Sequence, residues 1–214
     1  MKYYLYLSKS KVEMLFPQIP KAEKDNIATE LKLDLKIFSA SFKDQVEKDT
    51  LFSMMRVVEN YIEKKEAVGT IDFPGAYFKG EIPMTYGIFK DYGSDLTYFK
   101  TETEASVLIL IGRTQNIVGI SNPETLLHPE AISPNYYFLK YINRILENHS
   151  DIISFDESPW TPENLIKILN KSVEQVDGPT QNLSFLAKKI YHVEGIGKSK
   201  NIILGTPLYV ELKE

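Results

Sequence analysis

Five consecutive apolar residues, Val107-Leu108-Ile109-Leu110-Ile111, constrain the fold more than any other stretch of this chain. An unbroken run of aliphatic residues, bounded by polar ones, reads as a strand covered on both faces. A chain of 214 residues is long enough to supply those covers from its own core, without a metal or disulfide staple. Around the run, strands are predicted near 76–89, 95–101 and 116–120. Asp91-Tyr92-Gly93-Ser94 reads as a hairpin loop.

Elsewhere the period decides. Leu31, Leu33, Leu35 and Ile37 alternate with Lys32, Asp34 and Lys36, which predicts a strand over 29–42 with one wet face and antiparallel pairing. Residues 2–8 read as a strand. Ser8 or Ser10 then caps a short helix carrying Val12, Leu15, Phe16 and Ile19, weakened by Pro17 and closed by Pro20. Leu51, Met54, Met55, Val58 and Ile62 give an amphipathic helix over 45–66. Its two methionines suit core filling, or an adaptable groove. Further helices are predicted over 134–148, from Thr161-Pro162-Glu163 onward, and over 180–192. Asn201–Leu204 and Leu208–Leu212 read as one interrupted strand or two short ones, lying beside the N-terminal strand.

The predicted fold is α+β. A mixed, largely antiparallel sheet carries amphipathic helices packed on it, with the N- and C-terminal strands adjacent. Residues 1–214 form one domain, β-rich over 1–120, helical over 121–195, with a return strand over 200–213.

Composition removes several functions. The net charge is −4, and the 25 basic residues are interleaved with 29 acidic ones, so a dedicated nucleic-acid backbone binder is disfavoured. There is no cysteine, hence no thiol nucleophile, thiolate metal site or disulfide. The opening residues are too polar for a signal peptide, and no apolar run approaches the roughly 20 residues that span a bilayer. A cytoplasmic location without membrane attachment is the expectation. The thirteen tyrosines suit strand surfaces and binding surfaces alike.

Three segments could carry chemistry. Ser8-Lys9-Ser10-Lys11, at a strand-to-helix turn, offers hydroxyls, ammonium groups and backbone N–H groups to an anion, or is an ordinary capped helix. Gly112-Arg113-Thr114-Gln115-Asn116 follows the apolar run, and Arg113 could hold a carboxylate or phosphate in a site at the sheet's mouth, or occupy a plain turn. His192-Val193-Glu194-Gly195-Ile196-Gly197-Lys198-Ser199 is not a P-loop. His192 stands where that motif needs glycine, and the segment is read as following a helix and opening a strand. His128, His149 and His192 lack metal-ligand spacing and read as surface or capping residues. The acid pairs Glu102/Glu104 and Asp156/Glu157 fit solvated loops. No Gly-x-Ser-x-Gly elbow is present. No cofactor is expected.

Tyr3-Tyr4-Leu5-Tyr6-Leu7-Ser8, followed by Lys11-Val12-x-Met14-Leu15-x-x-Gln18-Ile19-Pro20, resembles a bacterial family of uncharacterised proteins that open with these motifs. The likeness continues through Tyr77-Phe78-x-Gly80, Pro83-Met84-x-Tyr86-Gly87, Ile111-Gly112 and Gly205-Thr206-Pro207-Leu208-Tyr209-Val210, leaving about half the chain without a match. Against that pattern, Tyr86 replaces a tryptophan and Asn116 stands near the place of a histidine. The resemblance implies no activity. It implies a shared surface built from Ser8, Lys11, Gln18, Lys79, Tyr86 and Arg113.

The reading that follows is a binding domain for a small anionic, nucleotide-like ligand. The alternatives are a protein-interaction or self-association module, with a homo-oligomer as its simplest form, and a hydrolase using carboxylates.

Overall fold

A computed structural model describes residues 2–33, 48–88, 96–119, 161, 163–164, 167–168, 178–195 and 200–213. The chain opens with β1 (Tyr3–Leu7) and α1 (Lys9–Leu15). A 3-10 turn over Phe16–Gln18 takes Pro17 in its first turn, where the missing N–H costs no hydrogen bond. Helix α2 (Lys21–Glu30) comes next, then α3 (Lys48–Lys65). Strands β2 (Val68–Gly69), β3 (Tyr77–Ile88), β4 (Leu96–Glu102), β5 (Ser106–Arg113), β6 (Thr180–Val193) and β7 (Asn201–Leu212) complete the described elements.

The fold is α+β, and its sheet is closed. β3, β4 and β5 form an antiparallel meander, β5 pairs in parallel with β7, β7 pairs antiparallel with β6, and β6 returns antiparallel to β3. A five-stranded barrel results. Its fourth strand, reached by a long connection, lies beside its first, so β6-β3-β4-β5 is a Greek key. OB-folds are five-stranded Greek-key barrels too, but such a plan carries no function by itself.

Phe78, Phe99, Leu108, Leu110, Leu183, Phe185, Ile203 and Val210 fill the barrel. Outside it lies a second core, where Val12, Phe16, Ile27, Met55 and Val58 of the helices meet Leu186, Leu208 and Tyr209 of β6 and β7. Met54 and Met55 are both buried, as core filling requires. The run 106–112 is buried throughout, the both-faces burial that its apolar sequence predicts.

Strand β7 faces both cores, and one irregularity sets which residues meet each. Opposite β6 its register slips between Pro207 and Tyr209, leaving Leu208 as an extra residue. A bulge of this kind breaks the two-residue alternation. Ile203 and Val210 therefore point into the barrel, while Leu208 and Tyr209 both lie under the helices. Pro207 has no N–H to donate to a ladder, which suits it to this break. Beyond it β7 exchanges β5 for β1, pairing Tyr209 with Leu7 and Leu212 with Tyr3. The predicted adjacency of the terminal strands is thus present, and 201–212 is one strand.

Several expectations are corrected. The predicted strand over 29–42 begins inside α2. Leu31 and Leu33 flank Lys32, whose φ of 54° places it in the left-handed region, and Leu33 N–H donates to Ala28 at 2.8 Å. That is a Schellman-type helix end, in which both leucines pack on the helical core. The rest of that prediction lies outside the described residues. The predicted helix over 180–192 is strand β6. In place of the predicted strand over 116–120, the residues described up to 119 hold the end of a 3-10 turn, Thr114–Asn116, and a single bridge from Ile117 to Tyr6. The 91–94 loop and the 134–148 helix lie outside the described residues. At Thr161 the hydroxyl accepts from Asn164 N–H at 3.2 Å, the predicted capping contact.

Candidate functional site

β5 and β7 run paired as far as Leu110 and Gly205, then part. β1 enters the gap. Tyr6 bridges to Ile117, Val118 N–H donates to Leu5 O at 3.0 Å, and Ser8 N–H donates to Leu208 O at 2.8 Å. The sequence thereby brings three separate segments to one seam: the β1–α1 turn, the end of β5, and the β7 bulge.

Tyr6 forms the floor. It is fully buried, its ring edge-on to Phe99 at 5.9 Å. Its hydroxyl accepts from Asn116 Nδ2 at 3.1 Å. Burial raises its pKa above the ordinary 10.0, although Asn116, the Arg113 backbone, Ser8 and the Arg113 charge all favour the ionised form. Ser8 occupies the N-cap position of α1, yet its side chain makes no capping bond. Its Oγ is buried beside the Tyr6 hydroxyl and makes no hydrogen bond of full geometry among the described residues. The Oγ1 of Thr114 is buried without a hydrogen-bond partner among them.

Two cations stand over this floor. Lys11, one helical turn into α1, donates from Nζ to Pro207 O at 2.9 Å. Arg113 ends β5. Burial, and then the Arg113 charge, lower the Lys11 pKa from 10.5 to about 7. A lysine held beside a like charge, with its solvation reduced, is poised to lose its proton or to gain an anion.

Of the six residues singled out by sequence, Ser8, Lys11 and Arg113 therefore converge. Gln18 does not. It is exposed, and its Nε2 donates to Met14 O at 2.8 Å. Lys79 makes an exposed ion pair with Glu63 of α3 at 2.7 Å. Tyr86 donates to Gln181 Oε1 at 2.9 Å and stacks on Phe99, with centroids 5.8 Å apart. It supports the floor only through that ring. Sequence reasoning missed Tyr6 and Pro207 as parts of the seam. Asn116 entered only as a departure from a family pattern.

Of the two predicted acid pairs, only Glu102/Glu104 falls among the described residues. Glu102 pairs with Lys200 at 2.8 Å, Glu104 is exposed, and Asp156 and Glu157 lie outside the described residues. A different pair meets instead: Lys2 Nζ lies 3.2 Å from Glu59 and 3.9 Å from Glu211. Tyr209 donates to Glu59 at 2.5 Å. This cluster ties α3 to β1 and β7, with both carboxylates already neutralised by donors.

His192 sits in β6 rather than at a helix end. The segment after it leads into β7, so the strand–loop–helix order of a P-loop is absent even though a strand precedes it. Among the described residues no group of three or more His, Asp or Glu could hold a metal ion, and no helix is long and apolar enough to cross a membrane.

The model of the family of unknown function DUF7019 matches residues 2–214, and the chain belongs to that family. No curated protein and no solved structure matches it.

Proposed function

We propose that this DUF7019 chain binds a small anion, a phosphate- or carboxylate-bearing molecule, at the seam between β1, β5 and β7. The observation that carries the reading is the placement of Lys11 beside Arg113, over the buried Ser8 and Tyr6 and the half-buried Asn116. Two neighbouring cations repel, and an anion between them converts that repulsion into attraction. The Ser8 hydroxyl and the carboxamide of Asn116 would supply neutral hydrogen bonds to it. We also read barrel and helical layer as one domain, because β7 contributes side chains to both cores.

Calorimetric titration with inorganic phosphate, nucleoside mono- and triphosphates and dicarboxylates tests the site. An anion favours charged Lys11, so affinity should be full below about pH 7 and fall as pH rises through it, by up to about tenfold per unit. Lys11→Met and Arg113→Gln should each weaken binding by at least about tenfold. Absence of binding by every anion, or binding that both variants leave unchanged, removes this reading.

A further inference from the structure

A cleft of about 720 Å³ opens at the opposite end of the barrel strands, where β6 runs out and β5 and β7 begin. One wall is the tight loop between β2 and β3. Gly69 has no room for a Cβ, which would collide with the backbone of Phe73 and Gly75, so the loop is folded closely on itself. Thr70 N–H donates to Phe73 O at 3.1 Å and closes the turn. At its tip Phe73 is 84% exposed, an unusual setting for a benzyl side chain on a rigid turn. The other wall is the end of the β6–β7 hairpin, with His192, Glu194 and Asn201.

The polar groups of the lining have a common sense. Asp72 and Glu194 make no ion pair among the described residues, and Asp72 is held by the hydroxyls of Thr103 and Ser106 at 3.1 and 3.0 Å. His192 Nε2 is buried without a hydrogen-bond partner among the described residues. Burial, and then the Lys189 charge, lower the His192 pKa and so favour a neutral ring. Lys200 pairs with Glu102, and Lys189 donates to Pro74 O at 2.9 Å in the cleft wall, so two carboxylates face one ammonium there. The lining thus offers two carboxylates, an imidazole and the face of an exposed phenyl ring.

We propose that this cleft binds a small organic cation, a primary amine or guanidine on an apolar stem. The charged head would lie against Asp72, Glu194 and the His192 ring, and the stem against Phe73. A phenyl face attracts a cation through its quadrupole and shelters an alkyl stem, and carboxylates give charge-assisted bonds to N–H donors. This site is independent of the anion seam. It takes ligands of the opposite charge at the other end of the strands.

Amide NMR titration of the full chain with agmatine and with butylamine tests the proposal, with n-butanol as the uncharged isostere. Both amines should shift Gly69, Gly75, His192 and Gly195, with Kd on the order of 1 mM or tighter. Phe73→Ala and Glu194→Gln alter exposed side chains and should leave the fold intact, while each weakens binding by about tenfold. Inorganic phosphate should leave these four residues unshifted. Absence of shifts at millimolar amine, equal shifts with n-butanol, or unchanged affinity in both variants overturns the proposal.

Discussion

Gly112 lies directly against the ring of Tyr6, so closely that a Cβ at position 112 would stand 2.5 Å from Cζ and 2.6 Å from Cε2 of that ring. The strand carrying the glycine is buried, and the ring is fully enclosed. Neither can yield without moving the other's neighbours. Gly112→Ala should therefore destabilise the protein by about 1–3 kcal/mol, the usual range for overpacking a core. In a chain of this size that lowers the melting temperature by about 2–4 °C per kcal/mol. A melting temperature equal to wild type would show that Tyr6 has somewhere else to go.

Lys11 should cost stability in the absence of a ligand. Its folded pKa is depressed to about 7, so between there and its ordinary 10.5 the unfolded chain holds more protons, and stability climbs with pH across that window. Lys11→Met removes the buried charge. It should be more stable than wild type by about 1–3 kcal/mol near pH 6, with the advantage shrinking toward about pH 10. Denaturant unfolding at several pH values checks this. A pH-independent difference would contradict a depressed Lys11.

Tyr209 and Glu59 join β7 to α3 by a hydrogen bond to a charged acceptor. Tyr209→Phe keeps the ring and its edge-on contact with Tyr4 while deleting that bond. A loss of about 1–2 kcal/mol is expected. Glu59 still has Lys2 as a partner, so Tyr209→Phe combined with Lys2→Ala should cost more than the two single changes added. Strict additivity in the four-way cycle would show that the cluster is not coupled.

Alkali should ionise the exposed phenols before it reaches three whose hydroxyls are buried. Burial raises the pKa of Tyr4, Tyr6 and Tyr209, and the carboxylates of Glu59 and Glu211 add to the effect at Tyr4 and Tyr209. These rings are held neutral in the fold. The stability they confer is present below about pH 10 and is lost as pH rises beyond it. Ultraviolet titration should show part of the thirteen tyrosines ionising only with cooperative unfolding. A single wave near 10 with intact circular dichroism would refute this.

How far the sequence was legible depended on which faces each element buries. α3 has one buried stripe, and its 3.6-residue period in Leu51, Met54, Met55, Val58 and Ile62 was plain. β5 has two buried faces and was legible as an unbroken apolar run. β6 has Leu183, Phe185 and Ala187 in the barrel and Leu186 under the helices. Burial on both sides erased its alternation, and Leu183, Leu186 and Ala187 then imitate helical spacing. Leu31 and Leu33 imitate a strand because a left-handed Lys32 between them sends both toward one core.

The seam was half legible for a similar reason. Ser8, Lys11 and Arg113 advertise themselves by chemistry. Their meeting depends on β5 and β7 parting after Leu110 and Gly205 and on β1 entering the gap, long-range pairings that leave no mark in composition. Gln18, Lys79 and Tyr86 share the same motif segments, but they face solvent, a helix and a neighbouring strand respectively. Shared motifs gave no direction for a side chain.

β7 pairs with β1, β5 and β6, and it follows all three in the chain. On the ribosome, then, those three strands are made with their partner still missing. Their edges carry unpaired backbone groups until the stretch from Asn201 emerges. Such edges recruit strands from other molecules. The protein's most exposed moment should be the interval just before β7 docks, and a chain truncated ahead of Asn201 should aggregate rather than persist as a smaller barrel.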